Sequence, residues 1–344
     1  MRVATLNVHF WSKANKLNYE PLINELKNQL SNMDVVCLQE VTFGQKINQP
    51  LVPYDKSPKK RVIFNKNCYK IIIDESSPGR LENSIREQLG FPLSFTFKVE
   101  NQNDTYTINP STNLEECWHN QFQTLDSTVL RLLQNTFSLP FCIFAGTQNP
   151  NFGNAILSRH QFSSLRIIQL FGKQNQPWSQ RSAISAILDT PVPIQIITTH
   201  LDHLKEEERI VQCQQLMDIL TVSNVMPQLL MGDFNSLTQQ DYTSDQLLHI
   251  NNKRKKNNIE LAKFDLINLL QQKSWLDCAW NGPKPVFEGT AATTSRFDTR
   301  IDYIFTNRVF VNCIASYRIF TMQETDHNGV FAVFYPVYRS LNDQ

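Results

Sequence analysis

The chain has no C-x-x-C pair, no apolar run long enough to cross a bilayer and almost no net charge. Each absence excludes something. Seven cysteines (Cys37, Cys68, Cys117, Cys142, Cys213, Cys278, Cys313) are odd in number and scattered, several within apolar runs. That pattern suits buried thiols in a reducing compartment and not a disulfide framework. The lack of a spanning run excludes a transmembrane helix. The opening MRVATLNVHF is strand-like and lacks a charged segment followed by an apolar one, so no secretory signal is expected. An intracellular protein, cytoplasmic or nuclear, is the resulting expectation. A net charge of +1 excludes a broad electrostatic funnel for polyanions but leaves room for a local basic patch. With 344 residues, 19% charged and 41% hydrophobic, the chain is an ordinary globular protein with material for a large core.

No internal repeat is present. Short apolar runs that end in polar residues recur instead: RVATLNV at Asn7, MDVVCLQEV at Glu40, IQIITTHLDH at His200, QLLMGDFN at Asp233 and Asn235, and RIDYIFTN around Asp302. GVFAVFYPVY follows Asp326 and His327. These runs have strand length and are rich in Val, Ile and Leu. Helical periodicity lies between them, over 19–30 (Leu22, Ile23, Leu26, Leu30), over 206–220 (Ile210, Cys213, Leu216, Met217, Leu220) and over 259–273. Alternating strands and helices predict α/β layers around one core. The stretch at about 44–125 is polar and Pro-rich and reads as an insertion on a single domain of residues 1–344. NNKRKKNN (251–258) reads as a basic loop.

In an extended strand, side chains alternate between faces. Asp233 and Asn235 would therefore share a cleft while Phe234 anchors the strand end in the core; the alternative is a simple turn. His200 and Asp202 share a face in the same way. Asp202 and His203 also fit the end of the H-x-H-x-D-H pattern of metallo-β-lactamase-like hydrolases, but Thr198 stands at its first position and breaks it. Asp302 lies in an apolar strand and needs a partner. Arg300 on the same face is one; His327 is the other, with Asp302 fixing its tautomer. Asp326 and His327 fit a loop before the last strand. GNAILSRH (153–160) suggests a Gly-Asn turn at Asn154, and QRSAI puts Arg181 on a strand with Trp178 nearby.

Taken in order, LNVHFW, LQEV, GNAILSR, TTHLDH, GDFNSL, RIDYIF and TDHNGV resemble the motif series of the endonuclease/exonuclease/phosphatase superfamily, the DNase I-like fold, with GDFNSL and THLDH most similar to a plant-type branch of unassigned substrate. The resemblance implies a four-layer α/β sandwich, two mixed β-sheets face to face with helices outside. It implies phosphoester hydrolysis with Mg²⁺ or Mn²⁺ and no covalent enzyme intermediate. In that reading Glu40 is the main metal ligand, with Asn7 and Asp326. Asp233 orients or deprotonates water, and Asn235 and His200 hold phosphate oxygens. His327, steadied by Asp302, stabilises developing charge or acts as base.

The substrate is open to three readings. A nucleic-acid phosphodiester comes first, on the basic stretches at 59–61 and 253–256, on Arg181 and Asn154 as substrate contacts and on Trp178 as a stacking surface. A phosphatase or phosphodiesterase acting on inositol phosphates or phospholipid head groups is the second. A catalytically inactive binding module on the same fold is the third.

Overall fold

Among the described residues the strands run in chain order as β1 (Arg2–Asn7), β2 (Val35–Thr42), β3 (Lys60–Val62), β4 (Ile71–Ile73), β5 (Phe97–Gln102), β6 (Thr105–Pro110), β7 (Phe141–Gly146) and β8 (Phe152–Ser158), then β9 (Phe162–Leu170), β10 (Arg181–Leu188), β11 (Ile194–His200), β12 (Gln228–Asp233), β13 (Leu276–Asp277), β14 (Asp302–Thr306), β15 (Ile314–Phe320) and β16 (Gly329–Phe334). The structure is a computed structural model that describes residues 1–9, 20–42, 60–62, 71–73, 97–102, 105–110, 129–147, 152–173, 180–282 and 293–336. Two six-stranded sheets dominate, in the orders β15-β16-β1-β2-β8-β7 and β13-β14-β12-β11-β10-β9. Both are mixed, because β1–β2 and β11–β12 are parallel while their other pairings are antiparallel. Short two-stranded sheets, β3–β4 and β5–β6, come from the expected insertion.

The apolar runs that read as strands are buried along their whole length in β11 and β12, as central strands covered on both faces should be. Between the sheets lies one core, with Val3, Val35 and Ile156 from the first sheet against Ile184, Ile196, Met231 and Ile304 from the second. Outside the first sheet, helices Glu20–Leu30 and Val129–Phe137 bury Leu22, Leu26, Leu30 and Leu133. Outside the second, helices Glu206–Ile219 and Asp265–Gln272 bury Cys213, Leu216, Leu266 and Leu270. Helix, sheet, sheet, helix is the four-layer α/β sandwich of the DNase I-like pattern. The five described cysteines, Cys37, Cys142, Cys213, Cys278 and Cys313, are buried free thiols.

Three local expectations change. Residues 251–256 are not a loop but the end of a helix, Ser244–Lys256. A reciprocal cap between Thr243 and Gln246 starts it, and Ile250 and Arg254, four residues apart, face inward. The helix foreseen over 259–273 forms only at Asp265–Gln272, because the preceding backbone is spent elsewhere: Ile259 N donates to Arg254 O and Ala262 N to Asn251 Oδ1. Gly153 and Asn154 lie inside β8 and make no turn. A Cβ on Gly153 would stand 1.8 Å from Ala145 O, so glycine there permits the close approach of β7.

Candidate active site

One rim of the sandwich collects the polar ends of the strands. Asn7 ends β1, His200 ends β11, Asp233 ends β12, Asp302 begins β14, and Arg181 begins β10. Glu40 arrives by a different device. The register between β2 and β8 shifts between Leu38 and Val41, and Glu40 takes φ 54°. The irregularity keeps Gln39 inside, hydrogen-bonded to Thr5 and Thr198, while turning the Glu40 carboxylate to the rim. Asn235 also has a left-handed backbone, φ 51°. With His9 (φ 42°), which lines the same cleft, three non-glycine residues of this rim lie in that sparsely populated region, and they mark backbone geometry fixed by its surroundings.

These side chains meet. Asn7 Nδ2 donates to Glu40 Oε1 at 3.1 Å and to Asp233 Oδ2 at 3.0 Å, joining both sheets. Asn235 N donates to Asp233 Oδ1 at 2.9 Å, and Asn235 Nδ2 lies 3.0 Å from His200 Nε2. His200 Nε2 stands 3.6 Å from Asp233 Oδ2 and 3.9 Å from Glu40 Oε1. His327 Nδ1 is 2.9 Å from Asp302 Oδ2, and its Nε2 faces Asp233 Oδ2 at 3.9 Å. Phe234 points the other way, fully buried edge-on against Tyr303 and Phe305. Glu40, Arg181, His200, Asp233, Asn235, Asp326 and His327 all line one cleft of about 950 Å³.

Burial sets the charge states. It pushes Asp233 up to about 7, with Asp302 adding to the rise. Burial likewise raises Glu40. For His327 burial acts downward, but the Asp302 carboxylate outweighs it and lifts the imidazole to about 10. His200, buried and near Arg181, His203 and His327, is held well below the usual range and is neutral. The rim therefore holds a carboxylate that can exchange a proton near neutrality beside one cationic and one neutral imidazole.

Not every expectation falls in place. Asn7 turns its amide nitrogen, not its oxygen, to the carboxylates; its Oδ1 accepts from His9 N at 2.9 Å. It spaces two carboxylates where a ligand oxygen for a metal was expected. Asn154 is not among the cleft residues; its Nδ2 donates to Ser182 O at 2.8 Å, tying β8 to β10 just beyond Arg181. Trp178 lies outside the described residues. Arg300 does not pair with Asp302. It is fully buried, 2.6 Å from both Asp241 and Asp277. Asp202 Oδ1 accepts from Leu204 N and Lys205 N and so shapes the loop after β11. Two cleft histidines are not among the expected site residues, and His203 enters the sequence reading only through the broken metal pattern. His9 Nδ1 lies 3.1 Å from Asp326 Oδ1, and His203 Nδ1 lies 2.9 Å from Arg181 Nη2. Their signal was proximity alone, one two residues after Asn7 and the other three after His200.

Residues 4–327 match the sequence profile of the Endonuclease/Exonuclease/phosphatase family. The chain belongs to the endonuclease/exonuclease/phosphatase family. Members of this family are hydrolases of phosphoester bonds, and solved structures agree on the fold. An endonuclease/exonuclease/phosphatase from Beutenbergia cavernae superposes with TM-score 0.55 at 18% identity, over 96% of this chain and 70% of that one. A 3'-5' exonuclease from Neisseria meningitidis gives 0.52 at 14% identity, over 97% and 99% of the two chains. An AP endonuclease from Archaeoglobus fulgidus gives 0.50 at 14% identity, over 97% and 99%. No curated protein is significantly similar in sequence. In this endonuclease/exonuclease/phosphatase member, ligand atoms of Asp233, Asp302 and His327 lie within 4.8 Å of one another, a grouping able to hold a metal ion. Among the described residues no helix is long and apolar enough to cross a membrane.

Proposed function

We propose that this chain is a divalent-metal-dependent phosphoesterase acting first on nucleic-acid phosphodiesters. The observation that supports it best is the convergence of Glu40, His200, Asp233, Asn235 and His327, from both sheets, on one cleft, with the buried Asn7 and Asp302 hydrogen-bonded behind them. A purely structural rim would have no use for so many desolvated ionisable groups.

The donors fit a hard cation. Among the described residues Glu40 Oε2 is buried and accepts no hydrogen bond, and Asp326 lines the same cleft. Carboxylate oxygens of this kind suit Mg²⁺ or Mn²⁺. Glu40 and Asp326 would hold the ion, and when bound it supplies charge neutralisation to the phosphate and the leaving oxygen. Asp233 takes the proton of the attacking water at its carboxylate. Asn235 and His200 face the non-bridging phosphate oxygens, and Arg181 adds a cation on the same wall. His327 Nε2, with Nδ1 fixed on Asp302, donates to the charge that grows on the phosphorus oxygens. Water oxygen bonds to phosphorus, and the ester oxygen leaves with the bonding electron pair.

The nucleic-acid preference is supported by the basic last turn of helix Ser244–Lys256, whose Arg254 reaches the cleft. It is also supported by the likeness to an exonuclease and an AP endonuclease. A substrate panel tests it: single-stranded and duplex oligonucleotides, abasic DNA, polyadenylated RNA and inositol phosphates, each with Mg²⁺ and with chelator. Turnover of oligonucleotides is expected; turnover of inositol phosphates alone contradicts the preference.

A further inference from the structure

Arg254 is a cleft residue to which the hydrolytic scheme gives no task. It is 7% exposed and projects from the inward face of helix Ser244–Lys256, one turn after Ile250. Its Nε donates to Glu260 O at 2.6 Å. That bond is the whole of its protein hydrogen bonding: among the described residues neither terminal nitrogen has a partner, and Arg254 joins no ion pair. The nearest carboxylates are committed elsewhere. Glu260 accepts from Lys263 and Arg209, and Glu206 accepts from Arg209, Ser236 and Leu266.

The other cations of this wall already have counter-charges. Lys205 lies 3.9 Å from Glu207, Arg296 lies 4.0 Å from Asp326, and Arg181 lies 3.7 Å from Asp202. Arg254 alone of these four is both buried and without a carboxylate partner. Burial disfavours the Arg254 charge, and Glu260 and Glu206 support it only from beyond ion-pair distance; packing its stem against Ile250 would require no guanidinium, and a buried cation without a direct anion costs free energy. A guanidinium with Nε occupied still offers its two Nη groups as a fork, and a fork matches two oxygens of a phosphate.

We propose that Arg254 forms a second phosphate subsite in the cleft, so that the substrate carries one phosphate for hydrolysis and a further one held by this guanidinium. The inference rests on the phosphoesterase reading and narrows it. Such a phosphate is supplied either by the neighbouring nucleotide of a polynucleotide or by a second phosphate on a small molecule.

Three substrates test it with Mg²⁺: bis(p-nitrophenyl) phosphate, which has one phosphate; a 5'-phosphorylated thymidine dinucleotide, which has two; and an inositol bisphosphate. The proteins are wild type, Arg254→Lys and Arg254→Met, the last keeping the apolar stem. Loss of a charged hydrogen bond is worth roughly ten- to a hundredfold. Arg254→Met is expected to lower kcat/KM on the dinucleotide by about that factor beyond any loss on bis(p-nitrophenyl) phosphate, chiefly through KM, and Arg254→Lys to recover part of it. The same selective loss on inositol bisphosphate alone supports the subsite and assigns it to a small molecule. An equal loss on all three substrates, or none, overturns it and leaves Arg254 a fold-supporting residue. Wild-type protein inert towards all three overturns the phosphoesterase reading itself, and the subsite with it.

Discussion

The Nδ1 of His327 lies 2.9 Å from Oδ2 of Asp302, a carboxylate with no solvent exposure. The pair joins the loop before β16 in one sheet to the start of β14 in the other. It fixes the ring so that Nε2 looks into the cleft, and it is the main force that raises the imidazole against its own burial.

Asp302→Asn should therefore lower the His327 pKa and lower kcat by about a hundredfold or more, with little change in KM. Titration of His327 by NMR together with steady-state kinetics checks both effects. An unmoved pKa with full activity would show that the pair is only structural.

The metal-free protein should lose stability as pH rises from 6.5 towards 10. His327 is raised to about 10 in the folded protein, so its stabilising contribution is complete below its unfolded value near 6.5 and is lost as pH passes the folded value. Asp233, raised to about 7, acts in the same direction: the fold holds that proton longer than the unfolded chain does, and stability falls as pH climbs towards 7. His200, held low, acts oppositely: the unfolded chain gives up that proton near pH 6.5 while the folded protein has already lost it, so His200 raises stability at the bottom of the window and adds no slope once the pH is well above 6.5. Melting temperatures in chelator across this window should decline, and His327→Asn should flatten the decline.

Gly232 precedes Asp233 with φ 142°, and a Cβ there would stand 1.9 Å from Thr199 O on the neighbouring strand. Gly232→Ala should cost at least about 2 kcal/mol, since it combines a backbone conformation alien to L-residues with a collision against main chain. A chemical-denaturation midpoint measures it. Activity should fall as well, because the collision falls on the residue next to Asp233.

The sandwich was legible because its central strands are apolar throughout and its outer helices carry stripes such as Leu22, Ile23, Leu26 and Leu30. Asp233 and Phe234 also followed their alternation, one to the cleft and one to the core. Alternation has no power over Asn235 and Glu40, whose positions depend on left-handed backbone and on a register shift. Nor does it show partners distant in the chain: Arg300 and Asp302 share a strand face on paper, yet Arg300 turns to Asp241 and Asp277. The basic run at 253–256 appeared as a loop by composition, but an upstream cap at Thr243 and two inward positions made it helix.

Asp233 stands at the meeting point of the two sheets, and its proposed task is to activate water for phosphoester cleavage. The direct measurement is hydrolysis of bis(p-nitrophenyl) phosphate with Mg²⁺ by wild type and Asp233→Asn, with circular dichroism showing both folded. Turnover by the wild type that chelator abolishes, and a loss of about a thousandfold in the variant, are expected of that task. Equal rates in the two proteins, or a wild-type rate indifferent to chelator, would contradict it.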